Sequence, residues 1–251
     1  MEWFAAHDKE NAVRRAPAIV VVHESGRRMT VGRLIARGLS GQGLHAFLLH
    51  LPEYGNRRDA DHSDVERTLP ALKQAIADAR RARDAVVALP TLDDSVVGVQ
   101  GTSLGGFVTA TVAGLDAGYD RVFILMAGGD LQRVVLHGAK DAAKMRKRLN
   151  AAGLTDAQIE EMAHQVEPLR LAHRINPVGT WLYSGTFDDV VPPSCSLALA
   201  KAARLPADHH ILLPVDHYSG ILYLPMVIQQ IQKNMVEPQV VVPPKHPMNP
   251  R

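Results

Sequence analysis

Short runs of apolar, often β-branched residues alternate with longer amphipathic segments along most of the chain. Buried strands of a parallel sheet consist of such continuous apolar runs, because helices cover both faces of the sheet. The runs span residues 18–23, 45–51, 95–100, 121–126, 179–184 and 210–213. The alternation predicts an α/β fold with a mostly parallel sheet of about six strands, flanked by helices on both faces.

One domain accounts for most of the chain. With 251 residues, the chain has the size of a single α/β domain with a sizeable core. We assign residues 1–236 to this domain and the proline-containing residues 237–251 to an extended tail. Ser63 and Glu66 form a capping-box pattern that predicts the start of a helix running toward Val86.

Residues 131–173 interrupt the alternation with polar, helix-forming sequence, in which Thr155 begins a helix. We interpret this segment as a helical insert before the fifth strand. It is either a solvated decoration of the surface or a lid over the site.

The composition excludes several classes of protein. Lys and Arg number 28 against 26 Asp and Glu, and aromatic residues make up 5% of the chain, so nothing indicates a nucleic-acid surface. The single cysteine, Cys195, permits neither an intramolecular disulfide nor a cysteine metal cluster. No apolar run is long enough to span a bilayer. We expect a soluble cytoplasmic protein, or a secreted one whose leader has been removed.

Gly101-Thr102-Ser103-Leu104-Gly105 matches the pattern G-x-S-x-G between a predicted strand and a predicted helix. This is the context of a nucleophile elbow, a strained turn that exposes a serine hydroxyl at the end of a strand. Glycines two residues to either side remove Cβ atoms that would collide there. The pattern predicts Ser103 as the nucleophile.

A serine nucleophile needs a base, and His217 is the candidate by position. It follows the last predicted strand and precedes the last helix, so a loop at the carboxyl edge of the sheet carries it. His209 and His210 lie at the opposite end of that strand.

An acid must orient the base, and an acidic pair follows the fifth strand. Asp188 or Asp189 fits this role, and Asp130 after the fourth strand is a weaker third candidate. With Asp188, the chain order is serine, aspartate, histidine, the order of α/β-hydrolases.

The chain resembles the α/β-hydrolase superfamily over residues 16–235. The segment GTSLGG resembles the elbow, GTFDDVVPP the acid loop and VDHYS the histidine loop. Aligning the acid loop on its proline implies Asp188 as the triad acid. The resemblance also implies an oxyanion hole formed by the backbone N–H groups of Leu104 and of Glu24 or Ser25. Few residues precede the first strand, so the superfamily's initial antiparallel hairpin is shortened or absent.

The pair His23-Glu24 stands where the superfamily usually has His-Gly. It is similar to the dienelactone-hydrolase branch, whose nucleophile is a cysteine. Glu24 is expected either at the pocket mouth, where it would act on substrate charge, or outward beside Arg27 or Arg28.

These observations predict a serine hydrolase that cleaves an ester or related acyl bond of a small molecule, without cofactor or metal. One alternative is a dienelactone-hydrolase-like or peptidase-like enzyme with the same triad. The other is a non-catalytic binding protein that retains the fold.

Overall fold

The computed structural model describes residues 1–57, 65–116 and 118–237. Within them, seven strands form one sheet in the order β1-β3-β2-β4-β5-β6-β7. All neighbouring pairs are parallel except β1 and β3. The strands are β1 (Glu2–Phe4), β2 (Ala16–Val22), β3 (His45–Leu49), β4 (Leu92–Thr102), β5 (Arg121–Leu125), β6 (Thr180–Gly185) and β7 (His210–Leu213). The predicted α/β class and mostly parallel sheet are confirmed.

Helices cover both faces of this sheet in two hydrophobic cores. The described helices are α1 (Thr30–Gly41), α2 (Thr68–Val87), α3 (Leu104–Leu115), α4 (Leu131–His137), α5 (Lys140–Ala151), α6 (Asp156–Gln165), α7 (Pro193–Ala202) and α8 (Leu224–Val236). Helices α1 and α8 pack on one face, and α2, α3 and α7 pack on the other. Alternate residues of β2 face opposite sides of the sheet. Ile19 and Val21 pack with α1 and α8, and Val20 and Val22 pack with α2, α3 and α7. No described helix is long and apolar enough to cross a membrane.

The sheet has seven strands where about six were predicted, and the additional strand is β1. This strand has three residues, too few to show a period, and it pairs antiparallel with β3, some forty residues away. Trp3 stacks on Phe47, and its indole N–H donates to His45 Nδ1 at 3.3 Å. The described residues thus contribute one short antiparallel strand at this edge of the sheet.

Residues 131–173 contain α4, α5, α6 and two short 3-10 turns, as the helical composition predicted. The capping box at α6 is formed by Thr155 and Gln158. The capping box predicted at Ser63 falls partly outside the described residues, and α2 is described from Thr68. The last predicted helix begins with a 3-10 segment, Ser219–Tyr223, before α8.

The turn between β4 and α3 holds Ser103 at φ 51° and ψ −114°, a backbone conformation that costs free energy for a residue with a Cβ. Its amide donates to the carbonyl oxygen of Leu125 at 2.8 Å, which fixes the turn to β5. Gly105 lies in the first turn of α3 against the end of β2. A Cβ there would overlap the carbonyl oxygen of Val22 and come within 2.6 Å of that of His23.

We therefore expect Gly105→Ala to lower the free energy of unfolding by about 3 kcal/mol or more, because backbone atoms on both sides of the contact would have to separate. Gly41→Ala is the matched control: it lies at the end of α1, where the added carbon would meet no atom within 4 Å apart from those of its own helical turn. That variant should be neutral or stabilised by up to about 1 kcal/mol. Urea denaturation of both would test the packing, and equal stabilities would contradict it.

Candidate active site

Ser103, His217 and Asp188 form one continuous line of hydrogen bonds at the carboxyl edge of the sheet. The Ser103 Oγ lies 2.9 Å from His217 Nε2. His217 Nδ1 lies 2.7 Å from Asp188 Oδ2. The side chains of His217 and Asp188 are 8% and 2% exposed, so water competes little for this pair. A carboxylate can only accept, so Asp188 selects the tautomer with hydrogen on Nδ1 and leaves Nε2 free to take a proton from Ser103.

Asp188 is held in place by the turn that follows β6. Its Oδ1 accepts hydrogen bonds from the amides of Val190 and Val191 at 2.9 and 2.8 Å. Both carboxylate oxygens are therefore occupied, which fixes the side chain toward His217. The turn also contains Asp189, whose exposed carboxylate pairs with Lys140 at 3.0 Å.

The third carboxylate considered from the sequence, Asp130, lies elsewhere. It caps α4 by accepting from the amide of Arg133 at 3.2 Å. Of the three candidates, only Asp188 contacts His217 in the described hydrogen bonds.

His217 lies in the turn between β7 and the last helix, and Asp216 shapes that turn. The Asp216 carboxylate accepts from the amides of Tyr218 and Ser219 at 3.0 and 2.7 Å. The hydrogen bonds from Ser219 lower the pKa of Asp216 to about 2. The ring of Tyr218 packs edge-on against that of His217, with centroids 5.5 Å apart. His209 and His210 lie at the other end of β7, bonded to the Thr180 carbonyl and the Ser184 hydroxyl.

The loop after β2 carries the other candidate oxyanion donors, and His23 fixes its path. His23 is fully buried, and burial lowers its pKa, so the ring is neutral. Its Nδ1 donates to the Glu24 carbonyl oxygen at 2.6 Å, and its Nε2 accepts from the amide of Leu51 at 3.1 Å. Leu104 and Ser25 both line the same cavity as Ser103. This role of His23 was not predicted from the sequence, although the residue directly follows the buried strand β2.

The Glu24 side chain lines a cavity together with Ser103 and His217, in keeping with the pocket-mouth expectation. Its carboxylate accepts hydrogen bonds from the amides of Val31 and Gly32, at 3.1 and 3.0 Å. These N–H groups lie in the first turn of α1, where the backbone lacks partners and a negative charge is favoured. Among the described ion pairs, none joins Glu24 to Arg27 or Arg28.

The helical insert is bonded to both loops that carry His217 and Asp188. Lys140 lies 3.0 Å from Asp189 and 3.7 Å from Asp216, and the hydrogen bond to Asp189 raises the pKa of Lys140. The Tyr218 hydroxyl donates to Asp141 at 2.8 Å. The start of α5 therefore contacts the acid loop and the histidine loop at once.

Two cavities meet at Ser103. One, of about 210 Å³, is almost entirely apolar and lies between the insert and helices α2 and α3. Its walls include Leu72, Phe107, Val134, Met145, Met162 and Ala163. The other, of about 870 Å³, lies between the loop after β2, α5, the histidine loop and α8. His217 lines the larger cavity, and it is not among the residues described around the apolar one.

No site for a metal ion is evident in the described part of the chain. Within residues 1–57, 65–116 and 118–237, no three His, Cys, Asp or Glu side chains lie close enough together to hold one.

Comparison with models of known protein families gave no match. Comparison with the sequences of curated proteins gave none either. Solved structures do match over most of the chain. The α/β hydrolase GrgF from Penicillium sp. sh18 is 14% identical with a TM-score of 0.67, covering 93% of this chain and 91% of its own.

Two further matching structures belong to proteins whose names state an enzymatic activity. The acetyl xylan esterase from Paenibacillus sp. R4 is 17% identical with a TM-score of 0.66, covering 88% of this chain and 75% of the esterase. The acylaminoacyl peptidase from Pyrococcus horikoshii is 14% identical with a TM-score of 0.67, and the match covers 94% of this chain and 40% of the peptidase. Identities at this level establish the fold and leave the activity open. The chain has the α/β-hydrolase fold, and the resemblance found in its sequence is confirmed at that level.

Proposed function

We propose that this chain is a serine hydrolase that cleaves carboxylic esters through an acyl-enzyme on Ser103. The observation that carries the proposal is the unbroken hydrogen-bond line from Ser103 through His217 to a buried Asp188. A binding protein that merely retained the fold would have no need to keep a serine, an imidazole and a buried carboxylate in this order.

In this mechanism, His217 Nε2 takes the proton of the Ser103 hydroxyl as the oxygen attacks the ester carbonyl. Asp188 stabilises the resulting imidazolium without being protonated itself. The negative charge on the carbonyl oxygen is stabilised by the Leu104 amide, at the N-terminus of α3, and by the amide of Glu24 or Ser25. His217 then protonates the departing alcohol. The same nitrogen next activates a water molecule, which releases the acid from Ser103.

We infer from the two cavities which half of the ester each one takes. The alcohol must leave within reach of His217, which lines the larger cavity, so the alcohol occupies that one. The acyl group then enters the apolar cavity under the insert. Its volume of about 210 Å³ is small for a ligand cavity, so short or medium acyl chains fit best.

Replacing either partner of the nucleophile pair should abolish turnover. Ser103→Ala and His217→Ala should each lower kcat for p-nitrophenyl butyrate by at least about a thousandfold, because the two residues act as one unit. Melting temperatures should change little. Ester hydrolysis that persists in Ser103→Ala would overturn the mechanism.

The acidic pair provides a second test. Asp188→Asn should lower kcat by about a thousandfold, because an amide N–H facing His217 Nδ1 favours the wrong imidazole tautomer. Asp189→Asn, the matched control, loses an exposed ion pair with Lys140 and should stay within about twofold of the wild type. The same p-nitrophenyl assay measures both. The reverse order of effects would move the acid to Asp189.

A third test concerns the acyl cavity. Ala163 lines it from α6, so Ala163→Leu should reduce the space available and lower the octanoate-to-butyrate ratio of kcat/KM by about tenfold. Ala157→Leu places the same side chain on the exposed side of the same helix and should leave that ratio unchanged. A ratio that is equal in both variants and in the wild type would exclude this cavity as the acyl site.

A further inference from the structure

Charged side chains line the larger cavity, in contrast to the apolar one. Asp141 is the one charged residue described around the apolar cavity. Around the larger cavity lie five charged residues: Glu24, Arg27, Asp141, Lys144 and Arg148. Arg27, Lys144 and Arg148 are exposed, and we call the part of the cavity that they form its mouth. Which charge a ligand meets there depends on the partners that these side chains already have.

Both carboxylates of this cavity are bonded through both of their oxygens. Glu24 accepts from two amides in the first turn of α1, where the partial positive charge of the helix matches it. Asp141 accepts from Lys144 Nζ at 2.9 Å through one oxygen and from the tyrosine hydroxyl of the histidine loop at 2.8 Å through the other. Lys144 and Asp141 therefore neutralise each other. The positive charge at the mouth then comes from Arg27 and Arg148.

Arg27 is presented by a short turn in the loop after β2. The amide of Met29 donates to the carbonyl oxygen of Gly26 at 2.9 Å, which closes a turn with Arg27 in its second position. Met29 is buried, and the side chain of Glu24 ties the loop to α1, so the turn is held at both ends. Arg27 is exposed and takes part in none of the described hydrogen bonds or ion pairs. Its guanidinium is therefore available to a ligand.

Arg148 approaches the mouth from a different element, the helix α5. Four residues of this helix line the cavity: Asp141, Lys144, Met145 and Arg148. Their spacing of three and four residues places them on one side of the helix. Burial raises the pKa of Tyr54, and the charge of Arg148 opposes that rise, so the guanidinium acts toward another residue of the cavity wall. Lys147 of the same helix is not among the lining residues.

Two guanidinium groups on separate elements match an anionic oxygen group. Arginine donates through a planar fork that fits a carboxylate or a phosphate. Deeper in the cavity the walls are buried and apolar, and they include Leu125, Leu224 and Val227. A ligand that fills this cavity thus meets hydrocarbon beside the sheet and α8, and positive charge where the cavity opens to solvent.

We propose that Arg27 and Arg148 select substrates whose alcohol half carries an anionic oxygen group, a carboxylate or a phosphate. The inference rests on the proposed function, in which Ser103 cleaves an ester and the alcohol occupies the larger cavity. The substrate class is therefore an ester of a short apolar acid with an alcohol that bears a negative charge.

The experiment compares aryl butyrates in matched pairs that differ in charge and little in size. Butyrates of 3-hydroxybenzoate, 3-hydroxyphenylacetate and 3-(3-hydroxyphenyl)propionate carry a carboxylate at increasing reach, and each is paired with its primary amide. A phosphate arm pairs the butyrate of 3-hydroxyphenyl phosphate with its dimethyl phosphate ester. For each pair, the ratio of kcat/KM, anionic over neutral, is measured in the wild type, Arg27→Gln, Arg148→Gln and the double variant. Comparing one ratio between proteins cancels the intrinsic reactivity of the esters.

In at least one pair, the ratio should fall by about fivefold in each single variant, because an ion pair with the substrate is lost. In the double variant it should fall by at least about tenfold. Raising the salt concentration to about 0.5 M should lower the same ratio in the wild type, since salt screens exposed charges, and should have a smaller effect in the double variant.

Arg28→Gln and Lys147→Gln are the matched controls. Each removes one exposed positive charge, from the same loop and from the same helix, and neither residue lines the cavity. Their ratios should stay within about twofold of the wild type. A fall as large as in the cavity variants would show an effect of overall charge and overturn the assignment to Arg27 and Arg148.

The outcomes separate the two proposals. Ser103-dependent hydrolysis with equal ratios in the wild type and the double variant would overturn the role of the two arginines and leave the esterase proposal intact. If no ester is hydrolysed, the esterase proposal is in question, and the same pairs are compared by saturation-transfer NMR on Ser103→Ala with and without the two arginine substitutions. Equal preference for the anionic member in both proteins would overturn the role of the arginines as well.

Discussion

The geometry of the site depends on one contact between two backbones. The first turn of α3 carries no side chain at Gly105 and therefore lies directly against the carbonyl oxygens at the end of β2. This approach places the N-terminus of the helix, with its unpaired amides, beside the loop that His23 holds. Ser103 is at the centre of the arrangement, in a backbone conformation that is unfavourable for it and is maintained by its neighbours.

The sequence was sufficient for the six longer strands and for the positions of Ser103 and His217. Buried parallel strands have continuous apolar runs that can be read from the sequence. For β7, the predicted range of residues 210–213 is the observed one. The elbow, the acid loop and the histidine loop are each short sequence segments, so each could be recognised without knowing the rest of the fold. Strand β1 was not predicted from the sequence, because three residues show no periodicity and its partner β3 is distant in the chain.

What the sequence did not indicate depends on contacts between distant parts of the chain. The Glu24 side chain was expected at the pocket mouth or facing outward, and no spacing rule predicts its hydrogen bonds to the first turn of α1. The same holds for the bonds from Lys140 and Asp141 to the acid and histidine loops. Helical composition predicted that residues 131–173 form helices, and only the packed structure shows what those helices contact.

The two cavities that meet at Ser103 can change separately during evolution. The two cavities share Ser25, Ser103 and two residues of α5, Asp141 and Met145. Helices α2 and α3 line only the first cavity and α8 lines only the second, so a substitution in one of these helices changes one cavity alone. Effects at separate sites combine additively. For the proposed esterase, preferences for the acid and for the alcohol can therefore change independently, and a descendant could exchange one while keeping the other.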